Sequence, residues 1–350
     1  MSTYNRIATP RAFVDLISYN LAHGWSALAN ITALQDDNST AVTFDTGSII
    51  DMFDMKPSHH VVIDADNQQF YIQYDTEFST DTLAESSFLA ILNHNLHTAN
   101  AVVTVATDDA SNFSSPTIVS TTGSHTKVIN AAADAVSTDL DPATNGWTLI
   151  TWPTQESNNR YLRITFTSDT NATTNFAADI LIGSILFGEI VDWSHPPSQG
   201  ITTTIDYDGT SLQQSVGGST YANSTHFGQP TWAATTPWNL KDSATQYTYS
   251  FQRRYGRLNH SMQFSHLADT DVFAPNQHGA TASDWFDSDN LHASFYQRIL
   301  GQHLPFLFTI DGTSTSEGDY GLFRLANSGF SSTQVAHQVW DVALDITETW

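Results

Sequence analysis

The sequence predicts an all-β protein, and three observations carry that prediction. Of its 36 acidic residues, 30 are Asp and six are Glu, and only three of its bases are Lys. Glu and Lys favour exposed helix surfaces, whereas Asp favours turns and caps, so this balance suits strands joined by loops. Short runs rich in Val, Ile, Thr, Phe and Tyr recur along the chain, many of them alternating. The connections between them are rich in Ser, Thr, Asn and Asp, a pattern of a sandwich.

The runs justify the elements in order. "PRAFVDLISYNLAHG" (10–24) is compatible with strand or helix. "TAVTFDTG" (40–47), "HHVVIDAD" (59–66), "QFYIQYD" (69–75), "AVVTVATDD" (101–109), "GWTLITW" (146–152), "RYLRITFTSD" (160–169) and "ILIGSILFGEI" (180–190) read as strands. In the sixth, Tyr161 and Arg163 face one way and Leu162 and Ile164 the other. "VDWSHPPSQG" (191–200) marks a boundary near residue 195, and "TSLQQSVGGSTYANSTHFGQP" (210–230) reads as a linker or a long excursion.

A second β-rich unit follows. "QYTYSFQRRYGRLNHSMQFSHL" (246–267) places Leu258, Met262 and Phe264 on one face, and "LPFLFTIDG" (304–312) ends in a turn. In "VWDVALDITETW", Trp340, Val342, Leu344 and Ile346 alternate with Asp341, Ala343, Asp345 and Thr347. One helix is expected over 288–301, capped by Ser288 or Asp289, with Leu291, Phe295 and Ile299 at i+4 spacing and Gly301 at its end. No repeat relates the two halves, so two domains are expected, 1–195 and 196–350.

Composition narrows the function. The net charge of −24 opposes nucleic-acid binding, which depends on Lys and Arg at phosphates. With no Cys, disulfides, thiolate nucleophiles and Cys-based zinc sites are excluded. No apolar run approaches the roughly 20 residues of a membrane span. The first twenty residues do not form a secretory signal, so synthesis in a cytoplasm is expected.

Candidate chemistry was sought in "SSFLAILNHNLHTANAVVTVATDDASNF" (86–113), where His94, His97, Asp108 and Asp109 lie close in sequence. A strand, a polar turn and a second strand account for them without a site. His59 and His60 point to opposite faces of a strand and do not share a metal. "VGGST" (216–220) lacks the spacing and the Lys of a phosphate loop. "DADN" (64–67) and "DSDN" (287–290) resemble fragments of calcium loops without the Gly or distal Glu, which leaves a structural calcium ion open. No cofactor and no catalysis are expected.

Two residue groups remain. Arg253, Arg254 and Arg257 form a positive island on an acidic chain, suited to a subunit contact or to pairing with the chain's own carboxylates. Trp147, Trp152 and Trp193 are the aromatic candidates for glycan contact, with core packing as the alternative.

In arrangement, residues 40–190 resemble the galactose-binding-like, or discoidin-type, β-sandwich. The resemblance is carried by the "HNL" turn at His94–Leu96, Asp108 and Asp109 before Phe113, Arg160 to Arg163, and Gly188. It implies a jelly-roll whose ligands meet loops at one end. The second half resembles the C-terminal β-domain of tailed-phage tail proteins, through "FQRRYGRLNHSMQFSHL", the helix before Gly301 and the terminal strand. Together the resemblances imply a virion component at a tail tip, baseplate or fibre attachment. It would be oligomeric as a ring or trimer with other tail proteins, and made in the host cytoplasm. A carbohydrate-binding adhesin recognising host-surface glycan is the alternative.

Overall fold

The computed structural model describes residues 8–24, 27–37, 39–57, 59–66, 68–77, 88–118, 127–129, 140–142, 145–151, 160–168, 174–198, 200–206, 210–224, 257–273, 290–314 and 319–349. The fold is all-β, as expected. The first strands are β1 (Arg11–Asp15), β2 (Ile31–Gln35), β3 (Phe44–Thr46), β4 (Val61–Ile63), β5 (Gln69–Asp75), β6 (Phe88–His94) and β7 (Ala101–Asp108). Then come β8 (Thr117–Ile118), β9 (Lys127–Ile129), β10 (Gly146–Thr151), β11 (Tyr161–Ser168), β12 (Ile180–Ile182), β13 (Ser184–Asp192) and β14 (Ile201–Asp206). The remainder are β15 (Thr210–Gln214), β16 (Thr220–Ser224), β17 (Arg257–Ala268), β18 (Phe306–Thr309), β19 (Tyr320–Leu325), β20 (Ser332–Ala336) and β21 (Val339–Glu348).

The ambiguous segment at 10–24 is both things in turn. β1 runs directly into helix α1 (Leu16–His23), whose first turn is capped by Asp15 accepting from Ser18 N at 2.8 Å. Gly24 ends it at φ 70°, a left-handed conformation that glycine adopts without penalty.

Two sheets face each other in the first half. β5, β11 and β7 lie at the centre of a five-stranded sheet in the order β2-β5-β11-β7-β8. Against it packs the part of an eleven-stranded sheet formed by β1, β13, β6, β10 and β9. Phe70, Ile72, Val103, Val105, Leu162, Ile164 and Phe166 from one side meet Leu89, Ile91, Ile150, Ile185 and Phe187 from the other. β11 alternates between half-buried and buried residues along its whole length, which confirms the expected facing of Tyr161 and Leu162.

The run at 180–190 is not one strand. Gly183 divides it into β12, which pairs with β4 in a three-stranded sheet, and β13. A Cβ at Gly183 would collide with the Pro57 carbonyl oxygen, and one at Gly188 with that of Val14. Both chains can approach so closely only because glycine has no side chain there.

The eleven-stranded sheet continues past residue 195 in the order β14-β17-β21-β19-β18-β1-β13-β6-β10-β9, with β20 paired to β21. β1 is the strand that joins the two halves, antiparallel to β13 from Arg11↔Asp192 and to β18 from Arg11↔Thr309. A second core gathers Met262, Phe264, Phe306, Phe308, Val342, Leu344 and Ile346 together with Ala12, Val14, Val191 and Trp193 from the first half. The expected alternation of the last strand holds, with Val342, Leu344 and Ile346 buried.

The segment at 210–230 contains a hairpin of β15 and β16 rather than a featureless linker. The expected helix at 288–301 is a short, loosely wound π-type segment, Leu291–Gln297. Its cap is Asn290, whose side chain accepts from Ala293 N at 2.7 Å, one residue beyond the expected Asp289. Leu291, Phe295 and Ile299 all enter the second core, and Gly301 closes the segment at φ 64°.

Candidate ligand-binding site

His94, His97 and Asp108 each hold local backbone or side-chain partners, while Asp109 is exposed. His94 ends β6 fully buried, with Nε2 2.8 Å from Thr148 Oγ1 and Nδ1 accepting from Leu96 N at 3.2 Å. Burial drives its pKa down to about 3, so the ring is neutral and donates through Nε2. His97 Nδ1 lies 2.9 Å from the Pro142 carbonyl. Asp108 accepts from Ala110 N and Ser115 N, both at 3.0 Å, and fixes the turn after β7.

Two of the three tryptophans named for glycan contact are in the cores. Trp147 lies on β10, both of whose faces are buried, with its ring 5.7 Å from that of Tyr320. Trp193 packs on Phe264, Phe295 and Phe308 at 5.2–6.0 Å. At 1% exposure Trp147 reaches no surface, which corrects the expectation for it, while Trp193, at 4% exposure, shows solvent only the small part that lines the recess described below. Trp152 lies outside the described residues, as do Arg253 and Arg254. Arg257 opens β17 half-buried beside Glu348, a carboxylate that also accepts from Leu258 N at 3.0 Å.

Of the residues that carried the resemblance, Arg163 and Phe113 come together. The Arg163 guanidinium is stacked between Tyr71 and Phe113, 3.9 and 4.0 Å from their ring centres, and donates to Gln73 Oε1 through Nε and Nη2. Arg160 makes a two-pronged pair with Asp75 at 2.6 and 2.7 Å. These contacts brace the outer face of the five-stranded sheet.

Among the described residues one cluster could hold a cation. Asp51, Asp54 and His59 bring ligand atoms within 4.8 Å of one another. The sequence pairing of His59 with His60 concealed it, because the carboxylates come from a helical turn at 49–53 and the residue after it. Both carboxylates are already engaged: Asp51 accepts from Ser48 N at 2.8 Å, and Asp54 from Lys56 N at 2.8 Å. Of the two calcium-like fragments, Asp64 accepts from Asp66 N in a tight turn, while 287–289 lies outside the described residues.

A concave site with aromatic sides lies in the second half, at a gap in the sheet. β19 pairs with β21 at residues 346–348 and β20 pairs with it at 339–342. Between them the chain loops out over 326–331, so Ala343 and Leu344 line a recess instead of meeting a neighbouring strand on that side. Its enclosed volume is about 90 Å³.

Trp193, Leu291, Phe295, Leu325, Val342 and Leu344 form the recess floor and walls. The half-buried rings of Tyr296 and Phe330 stand 5.3 Å apart at its side. Tyr296 donates from its hydroxyl to the Ser328 carbonyl at 2.6 Å and so pins the loop. At the mouth, Asn327 Nδ2 donates to Asp345 Oδ2 at 2.9 Å. An apolar pit with aromatic sides and a planar amide–carboxylate pair at its rim can hold a ligand that is apolar at one end and hydroxylated at the other.

Sequence reasoning placed Tyr296, Phe330, Asn327 and Asp345 in no site. The available signal was "NSGF" (327–330), a turn with an aromatic residue between two alternating runs. A second cavity of about 190 Å³, lined by Asp192, Ser194, Asp271 and Asn290, also reaches Trp193 and Leu291.

No family model matches the chain, and no curated protein matches it. Among solved structures it is similar to CpGH89CBM32-4 produced by Clostridium perfringens, in a selenomethionine-labelled form. That match has 13% identity and a TM-score of 0.28, and covers 46% of this chain and 94% of that one. A second structure of the same protein, in complex with GlcNAc-α-1,4-galactose, matches at 12% identity and a TM-score of 0.27, covering 45% and 89%. Among the described residues no helix is long and apolar enough to cross a membrane.

Proposed function

We propose that this chain is a non-catalytic attachment protein that binds carbohydrate. The observation that carries the proposal is the recess at the β19–β20 gap. It combines the rings of Tyr296 and Phe330 with the Asn327–Asp345 pair. Sugar recognition needs planar amide or carboxylate groups for hydroxyls and an aromatic face for the apolar side of the ring. The resemblance of residues 40–190 to galactose-binding-like sandwiches agrees with this role. A glycan array probed with the full chain tests it. Binding that falls with Phe330→Ala supports the proposal, and silence across host-surface glycans rejects it.

The tail-component reading is favoured by a different observation. Every residue of β14 after Ile201 is exposed, and so are Leu212, Val216 and Tyr221 around the β15–β16 hairpin. The stretch Thr210–Ser224 has no charged residue in a chain of net charge −24. Such an arm suits contact with a second copy or another tail protein, and an attachment protein of a virion would need both properties. Charge reversal of Arg253 and Arg254, combined with Arg257→Gln so that no second acid meets Glu348, tests the accompanying interface: blocked incorporation into particles with an intact fold is the expected result. Normal assembly of the triple variant would reject it. As a binding protein the chain is expected to leave polysaccharide substrates uncleaved.

A further inference from the structure

We infer that the recess at the β19–β20 gap selects a neutral pyranose bearing an acetamido group, with the acetyl methyl inserted and the sugar ring at the mouth. This rests on the carbohydrate reading above and narrows it.

Size comes first. About 90 Å³ is several times the roughly 10–15 Å³ that one water needs, so the pit admits a side group of a few heavy atoms. The hydroxyl-bearing ring is placed at the mouth, beside Tyr296 and Phe330, because the polar groups of the site, Asn327 and Asp345, are there.

The lining decides what the side group is. The floor is Trp193, Leu291, Phe295, Leu325, Val342 and Leu344, and burying a hydroxyl against it without a partner is unfavourable. A methyl group gains by the same burial. The mouth then asks for a donor. Asp345 Oδ2 takes the Asn327 amide, and among the described residues no hydrogen bond reaches Oδ1. In an acetamido group the N–H nitrogen and the methyl are both bonded to the carbonyl carbon, so one group can fill the pit and donate to the rim.

Charge excludes the acidic sugars. No Lys, Arg or His lines the recess, and the one carboxylate in its lining is that of Asp345. A sialic or uronic carboxylate would meet repulsion there without a compensating cation.

The test uses the full chain and titration calorimetry with N-acetylglucosamine, N-acetylgalactosamine, glucose, galactose and N-acetylneuraminic acid. The expected result is that the two acetamido sugars bind at least about tenfold more tightly than their hydroxyl parents and than the acidic sugar. Asp345→Asn, which keeps the shape of the rim, should lose about tenfold for the acetamido sugars, and Phe330→Ala should weaken every sugar bound. Circular dichroism confirms that both variants are folded. Equal affinity for acetamido sugars and hydroxyl parents, or preference for the acidic sugar, would overturn the inference while sparing the carbohydrate reading. Acetamido binding untouched by both variants would place the site elsewhere and also overturn it. No binding of any sugar would remove both.

Discussion

Glu189 and Arg298 form an ion pair in which both side chains are fully buried, one on β13 and the other at the end of the Leu291–Gln297 helical segment. Glu189 lies opposite Val14 in the β1–β13 ladder, and the charge of Arg298 also reaches the Tyr19 hydroxyl on α1. The pair therefore ties the sandwich to the second core. Removing one partner leaves an uncompensated charge in the interior, so Glu189→Gln and Arg298→Met should each destabilise by about 3–5 kcal/mol. Replacing both together with apolar residues should recover much of that loss. Urea melts of the two single variants and the double variant check the cycle; additive losses would show that the groups do not interact.

Acid should weaken the fold through His94. Its folded pKa of about 3 lies below the unfolded value of about 6.5, so protons bind preferentially to the unfolded chain between those limits. Stability contributed by the neutral ring is present above about pH 6.5 and declines by up to about 1.4 kcal/mol per pH unit below it. Asp15 and Glu348 act in the opposite sense. Burial raises them to about 6 and about 7, so each favours the folded state at low pH and loses that contribution as pH rises through its folded value. His94→Gln should flatten the acid-sensitive component, measured as the difference in urea midpoint from the parent across this range. An unchanged difference at every pH would show that His94 does not titrate as described.

Residues 196–350 should not fold alone. Their core is completed by Ala12, Val14, Val191 and Trp193, and β18 loses its β1 partner when the chain is cut at 195. The isolated segment should give no cooperative thermal transition, whereas adding back residues 1–195 in trans should restore one. A cooperative melt of the segment alone would contradict the shared-sheet argument and favour two autonomous domains.

Salt should stabilise the protein. A net charge of −24 repels itself in the compact state, and ions screen that repulsion over a Debye length of about 10 Å at 0.1 M. The melting temperature should rise from low to moderate sodium chloride. A fall would mean that screened ion pairs such as Arg160–Asp75 outweigh the repulsion.

Much of the fold was legible in the sequence because β11 and β21 each have one face turned inward, and period-two patterning reports that directly. β14 escaped notice because it is a polar strand exposed on both faces, with no alternation to read. β12 and β13 read as one strand because nothing in "ILIGSILFGEI" reveals that Pro57 crowds Gly183. The tryptophans misled for a related reason: residue type signals an aromatic face, but only tertiary packing decides whether that face is covered. Asp345 and Asn327 are 18 residues apart and meet only because two strands leave the same neighbour at different points.

The placement of β1 has a consequence for how the protein is made. Arg11 finds one neighbour at Asp192 and the other at Thr309, so β1 keeps an open edge until β18, almost 300 residues later, has emerged from the ribosome. Closing loops of that length makes native pairing slow, and an unpaired edge invites pairing with other nascent copies. The charge that burdens the finished fold would then act as a guard during synthesis, holding incomplete chains apart until the last strands arrive.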